Sequence, residues 1–256
     1  MFKIKKLFIL LILIFCLASS AAASTSEGFS FVAFGDNRDG DSVFMDLIEK
    51  VNQEEDIAFA VNTGDFVSSG KRSQYERYLD MISKCKVKIY HALGNHDIPG
   101  DGRKIFQEVF GASYYSFDYS GAHFVILDNV SQGGLGNKQF DWLKQDLESN
   151  DNKLTFVFFH KPLYDPTDCF PYYIMEPKKE RERLIELLKE KEVDYVVTGH
   201  LHGYARGERY GFVHIIAAGA GAPLYLPEDS GGFYHYVKIT VLGDKITDEV
   251  VAIYND

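Results

Sequence analysis

Apolar runs recur along this chain, and five of them stop in the same manner. They read FSFVAFGD (Phe29 to Asp36), IAFAVNTGD (Ile57 to Asp65), IYHALGNHD (Ile89 to Asp97), LTFVFFH (Leu154 to His160) and YVVTGHLH (Tyr195 to His202). Short apolar runs, bounded by Gly and separated by helical stretches, are the pattern of buried strands in an α/β sheet. Between them the period becomes helical. Val43 to Gln53 repeats Val43, Leu47, Ile48 and Val51, and Gln74 to Lys84 repeats Tyr75, Tyr78, Leu79 and Ile82. Arg103 to Phe110 predicts a short helix, Lys138 to Leu147 turns Phe140, Leu143 and Leu147 inward, and Lys178 to Glu192 gathers Leu184, Leu187 and Leu188 on one face. Tyr114 to Tyr119 and His123 to Leu127, joined by Ser120-Gly121, predict a β-hairpin. After His202 the pattern is that of strands: Val213 to Ala217, Tyr234 to Leu242 and Ile246 to Tyr254, the last two joined at Gly243-Asp244. Alternating strands and helices followed by a β-rich end predict an α/β fold, a two-sheet β-sandwich with mixed sheets flanked by helices.

The chemistry sits where the apolar runs end. In four of the five a glycine directly precedes the first polar side chain: Gly35, Gly64, Gly94 and Gly199. Ligands of such sheets gather at strand ends, so Asp36, Asp65, Asn95, His160, His200 and His202 are expected to converge. Two Asp, one Asn and three His with no thiolate suit a two-metal hydrolytic site. Asp65 is the candidate bridge between the cations, because a carboxylate has two oxygens. Singly, each residue has an ordinary explanation as a cap, a turn residue or a core histidine; five such coincidences at five strand ends do not share one.

Composition narrows the setting. Lys3, Lys5 and Lys6, the apolar stretch Leu7 to Ala18 and Ala21-Ala22-Ala23 read as a secretory signal over residues 1–23, cleaved after Ala23. Residues 24–256 then form one domain destined for a periplasmic or extracellular location. Losing three lysines and no acid takes the formal charge from −10 to −13. So acidic a surface argues against stable nucleic-acid binding or capture by anionic lipid. No later segment is long and apolar enough to span a membrane. Cys85 and Cys169 are read as separate thiols rather than a bridge. Residues 165–177 lack periodicity and follow a candidate ligand, which suits a cap over a substrate. Its Phe170, Tyr172 and Tyr173 either stack a nucleobase or aryl group or pack on one another.

The ordered set Gly35-Asp36, Gly64-Asp65, Gly94-Asn95-His96-Asp97, His160 and Gly199-His200-Leu201-His202 resembles the calcineurin-like metallophosphoesterase superfamily. The resemblance runs from Phe29 to about Gly221 and includes Gln139 and Trp142-Leu143 in the helix before the lone His. It implies one divalent cation (Mn, Fe or Zn) on Asp36, Asp65 and His202, and a second on Asp65, Asn95, His160 and His200. It implies that His96 faces the substrate as donor or general acid and that Asp97 orients His96. The expected activity is hydrolysis of a phosphate mono- or diester, or a nucleotide, by direct attack of a metal-bridging hydroxide. The alternative is a non-catalytic or degraded-site binding protein on the same fold. One departure implies a first cation that is weaker, more hydrated or missing a ligand: the family's usual D-x-H is here Asp36-Asn37-Arg38, and Arg does not coordinate. Arg38 either clamps a phosphate oxygen or pairs with Asp39 or Asp41. The purple acid phosphatase branch also lacks that His but places a Tyr three residues after the second Asp; here that residue is Ser68.

Overall fold

The computed structural model describes residues 28–254; the segment read as a secretory signal lies outside them. In chain order the elements are β1 (Phe29–Phe34), α1 (Asp41–Gln53), β2 (Ile57–Asn62), α2 (Arg72–Ile82), β3 (Lys88–His91), α3 (Gly102–Phe110), β4 (Tyr115–Tyr119), β5 (Ala122–Ile126), α4 (Gly136–Ser149), β6 (Leu154–Phe158), α5 (Lys178–Glu190), β7 (Tyr195–Thr198), β8 (Tyr204–Arg209), β9 (Phe212–Ala217), β10 (His235–Leu242) and β11 (Lys245–Ala252). They build two mixed sheets, ordered β11-β10-β1-β2-β3 and β4-β5-β6-β7-β9-β8. Strands β1, β2 and β3 run parallel, as do β5, β6, β7 and β9. The C-terminal hairpin closes one side of the first sheet by pairing β10 antiparallel to β1.

The period-2 rule explains how one strand serves two layers. From β1, Phe31 and Ala33 face the second sheet, while Val32 and Phe34 face the helices. The inter-sheet layer is largely aromatic. Phe31 stacks on Phe59 with centroids 5.2 Å apart, and Phe124 stacks on Phe156 at 5.0 Å. On the outside, Phe44, Leu47, Ile48 and Val51 of α1 join Tyr75 and Tyr78 of α2 and Phe106 of α3 against the first sheet. Leu143 and Leu147 of α4 and Leu184, Leu187 and Leu188 of α5 cover Val125, Val157 and Val196 of the second. This is the helix-flanked two-sheet arrangement expected from the pattern. One strand was not expected: β8 (YARGER) is a polar edge strand with only Ala205 fully buried, so it carries no apolar run to read.

Candidate metal centre

The five apolar runs end on one side of the sandwich, and in the four that carry a glycine before the candidate ligand the backbones are packed too tightly there for a side chain. A Cβ on Gly94 would lie 2.0 Å from the Asp65 nitrogen and 2.1 Å from its Oδ1; one on Gly199 would lie 2.5 Å from Asp36 Oδ2. Just beyond, the chain turns sharply. Asp36, Asp65 and His200 have φ of 60°, 57° and 74°, the left-handed region that non-glycine residues seldom adopt. Each such residue costs about 1–3 kcal/mol and persists only where its surroundings hold it. Backbone bonds supply that hold: Asp36 N–H donates to the Gly64 carbonyl at 2.9 Å, and Arg38 N–H to the Asp65 carbonyl at 3.1 Å.

The six candidate ligands form one continuous set of contacts. His160 Nε2 lies 3.1 Å from Asn95 Oδ1, 3.1 Å from His200 Nδ1 and 3.5 Å from Asp65 Oδ1. His202 Nε2 lies 3.4 Å from Asp36 Oδ1. The backbone N–H of His200 donates to Asp36 Oδ2 at 2.9 Å and joins the two groups. Asp36, Asp65 and His160 place ligand atoms within 4.8 Å of one another. Asp36, Asp65, His160 and His202 are all buried; Asn95 and His200 are partly so.

Two observations test whether these residues suit a cation. Asp36 Oδ1 is buried with no hydrogen-bond partner, a costly state for a carboxylate oxygen that a bound cation would relieve. Backbone carbonyls also fix two tautomers. His160 Nδ1 donates to Thr63 O at 3.0 Å and His202 Nδ1 to Pro223 O at 2.6 Å, so each turns Nε2 toward the carboxylates. Electrostatics agree. Burial would raise Asp65, but the facing His160 and the His96 N–H outweigh it and hold the carboxyl well below its usual range. Burial would lower His160, but Asp65 and Asp36 lift it to about 9. A cation held between these groups would compete with a proton for His160. Burial and the neighbouring His160 charge push His200 well below its ordinary value, as suits a neutral donor.

The expected role of Asp97 needs correction. Its carboxylate does not reach the His96 ring. Oδ2 accepts the N–H groups of Asp65 (2.9 Å) and Gly94 (2.7 Å), and Oδ1 those of Phe66 and Val67 (both 3.0 Å). Asp97 therefore clasps the loop that carries Asp65 to the one that carries Asn95. The His96 ring is set instead by Ser68, whose carbonyl accepts from Nδ1 at 3.0 Å. Its Nε2 stands 4.0 Å from Asp65 Oδ2 and is partly open to solvent.

A sequence profile described as calcineurin-like phosphoesterase matches residues 29–204, which span all six candidate ligands. The chain belongs to the calcineurin-like phosphoesterase family. Purple acid phosphatase 23 of Arabidopsis thaliana is 31% identical over 185 residues, which cover 66% of this chain and 39% of that protein. The chain thus spans well under half the length of that curated relative. Among solved structures, purple acid phosphatase PPD1 from yellow lupin (Lupinus luteus) superposes with a TM-score of 0.71 at 20% identity, covering 88% of this chain and 52% of that one. A dimetal phosphatase from Danio rerio superposes with a TM-score of 0.72 at 16% identity, covering 88% and 96%. Both share the fold.

Position 38, where the superfamily's usual D-x-H would have a histidine, holds an arginine. Arg38 Nη1 pairs with Asp39 at 2.9 Å, while Nε points inward, 3.6 Å from Asp65 Oδ2. Asp41, the other expected partner, is taken by Arg77. Ser68 donates its hydroxyl to Asp39. The 165–177 loop sorts its aromatics three ways. Phe170 packs against the cluster of Leu201 and Leu226, Tyr172 points into solvent, and the Tyr173 ring lies 5.9 Å from that of Phe170 and 5.5 Å from that of His200. One neighbour had no sequence signal. Tyr225, in an irregular stretch after β9, stacks on His202 with centroids 3.9 Å apart and meets the Tyr173 ring at 5.8 Å. Cys85 and Cys169 are free thiols.

Proposed function

We propose that this chain is a secreted, metal-dependent phosphoesterase that hydrolyses a small phosphate mono- or diester at a two-cation centre. One observation carries the reading: six nitrogen- and oxygen-bearing side chains from five strand ends form one chain of contacts through Asp36, which has a buried unpaired oxygen, and Asp65. One cation would be held by Asp36, Asp65 and His202, the other by Asp65, Asn95, His160 and His200. Bound there, divalent cations such as Mn, Fe or Zn supply Lewis-acid polarisation of the phosphate and make water nucleophilic near neutral pH.

The chain's own residues do the rest. Asp97 keeps the Asp65 and Asn95 loops at fixed separation. His96 faces the same space with Nδ1 committed to Ser68, so the proton it can exchange is on Nε2. In the imidazolium form that Nε2–H protonates the departing ester oxygen. Arg38, with its inward-facing Nε, adds positive charge for the phosphate. Tyr173 and Tyr225 form an aromatic wall beside His200 and His202, with 165–177 as a cap over the leaving group. The fold includes no helix, among the described residues, long and apolar enough to cross a membrane.

The test is hydrolysis of p-nitrophenyl phosphate and bis-p-nitrophenyl phosphate by the chain reconstituted in turn with Mn, Zn and Fe. Turnover that depends on metal and is lost to chelator is expected, and the preferred ester sorts monoesterase from diesterase. Folded protein that binds metal yet turns over neither ester, nor a panel of nucleotides, would overturn the enzyme reading in favour of a binding protein.

A further inference from the structure

The two halves of the centre are not equally furnished. Around His160 Nε2, three other donors stand within 3.5 Å: Asn95 Oδ1, His200 Nδ1 and Asp65 Oδ1. On the other side, among the described residues, stand only Asp36 Oδ1 and His202 Nε2, with the far face of Asp65. Neither position from which the family adds a donor on this side can do so here. Residue 38 is an arginine, and the Ser68 hydroxyl is turned away onto Asp39.

Arg38 does more than fail to ligate. Its Nε is buried with no hydrogen-bond acceptor and lies 3.6 Å from Asp65 Oδ2, the oxygen that His160 does not face. Asp39 holds the other end of the guanidinium through Nη1 at 2.9 Å, and Asp39 is itself bonded to Ser68. The guanidinium is permanently charged. A cation approaching Asp65 from this side therefore meets a like charge already in place and a carboxylate already partly neutralised.

Resting on the phosphoesterase reading above, we propose that the centre is asymmetric by construction. Asp65, Asn95, His160 and His200 take one divalent cation tightly. Arg38 stands in for much of the charge of the other, which Asp36, His202 and Asp65 hold only weakly.

The experiment is a titration of the metal-free chain with Mn²⁺, bound ions being counted by equilibrium dialysis with elemental analysis and their spin coupling followed by electron paramagnetic resonance. One ion per chain should saturate first, with the uncoupled spectrum of a lone Mn²⁺. The second should bind at least about tenfold more weakly, the lower end of what a changed ligand surround does to metal affinity. Arg38→His, which restores a nitrogen donor, should bring the two affinities together and give coupled spectra at two equivalents. Arg38→Gln, which removes the charge and offers an oxygen, should narrow the gap. Thermal melts of both variants establish that they are folded. Two equally tight ions in the unaltered chain would overturn the proposal and leave the phosphoesterase reading standing. A gap unchanged in both folded variants would also overturn it. Binding of no ion at all would overturn both readings together.

Discussion

Replacing Asp97 with Asn exchanges one carboxylate oxygen for an amide nitrogen and leaves the side chain's shape intact. The two oxygens of Asp97 each accept two backbone N–H groups, and the residue is fully buried. An Asn oxygen can keep one of these pairs; its NH2 group then faces the other pair, donor against donor. Two buried N–H groups lose their acceptor at about 1–3 kcal/mol each, so Asp97→Asn should cost roughly 2–6 kcal/mol of stability. At about 2–4 °C per kcal/mol for a domain of this size, that lowers Tm by roughly 4–24 °C. The assay is urea and thermal unfolding followed by circular dichroism at neutral pH, with Mn²⁺ affinity measured on the same samples. Stability and metal affinity should fall together, because the clasped loops carry Asp65 and Asn95. If Asp97→Asn unfolded within about 0.5 kcal/mol of the parent, the range of an ordinary surface change, the clasp argument would fail.

Three further outcomes are expected. Asp65→Asn should abolish metal binding and ester hydrolysis, since a neutral amide cannot serve two cations; bound metal measured by elemental analysis decides it, and normal occupancy refutes the bridging assignment. Gly94→Ala should cripple metal binding although no donor is touched, because its Cβ would sit 2.1 Å from Asp65 Oδ1; unchanged Mn²⁺ affinity would show that the loops have room to part. A pH effect lies away from the centre, at His123, whose Nδ1 and Nε2 pair with Asp118 at 2.6 Å and Asp146 at 2.9 Å. Burial would lower His123, but Asp146 and Asp118 outweigh it and raise it above its ordinary value. The stabilisation is complete below about pH 6.5, the unfolded value, and fades as pH climbs through the raised native value. Tm should fall over that window, and His123→Gln should flatten the fall; parallel profiles would sink the assignment.

Much of the fold could be read because the central strands are buried on both faces. Phe31, Phe59, Phe124 and Phe156 must fill the inter-sheet layer while their neighbours fill the helix layers, so the strands announce themselves as unbroken apolar runs. The helices were legible over their apolar stripes but, apart from α5 at Lys178, less so at their polar starts. Helix α2 begins at Arg72, two residues before Gln74, because Arg72 and Ser73 point outward and leave no periodic mark. The edge strand β8 was silent for the same reason, having one face in solvent and no partner beyond it.

The centre divides along a sharper line. Candidate donor identity is written at strand ends, and the glycine that precedes the donor in four of the five runs is a packing requirement, as the near-collisions at Gly94 and Gly199 demonstrate. What surrounds the donors depends on where loops travel after the strand, and that is set by tertiary closure. Asp97 is adjacent to His96 in sequence, yet its carboxylate turns away to four backbone amides, because three successive N–H groups of the Asp65–Val67 turn converge there. Tyr225 reaches His202 only because its segment folds back to donate N–H to the His202 carbonyl at 2.9 Å. The left-handed backbone at Asp36, Asp65 and His200 joins these facts. A turn that releases a strand sideways aims the next side chain across the strand ends, and three such turns aim three donors at one point. Strain of that kind is stable only if something opposes it. The Asp97 clasp opposes it directly at Asp65; at Asp36 the N–H bond to the Gly64 carbonyl does so, and the His200 N–H bond to Asp36 Oδ2 ties His200 to it. The candidate donors are therefore tied to one another by hydrogen bonds of their own loops, the kind of support that would let such a site select a cation by geometry.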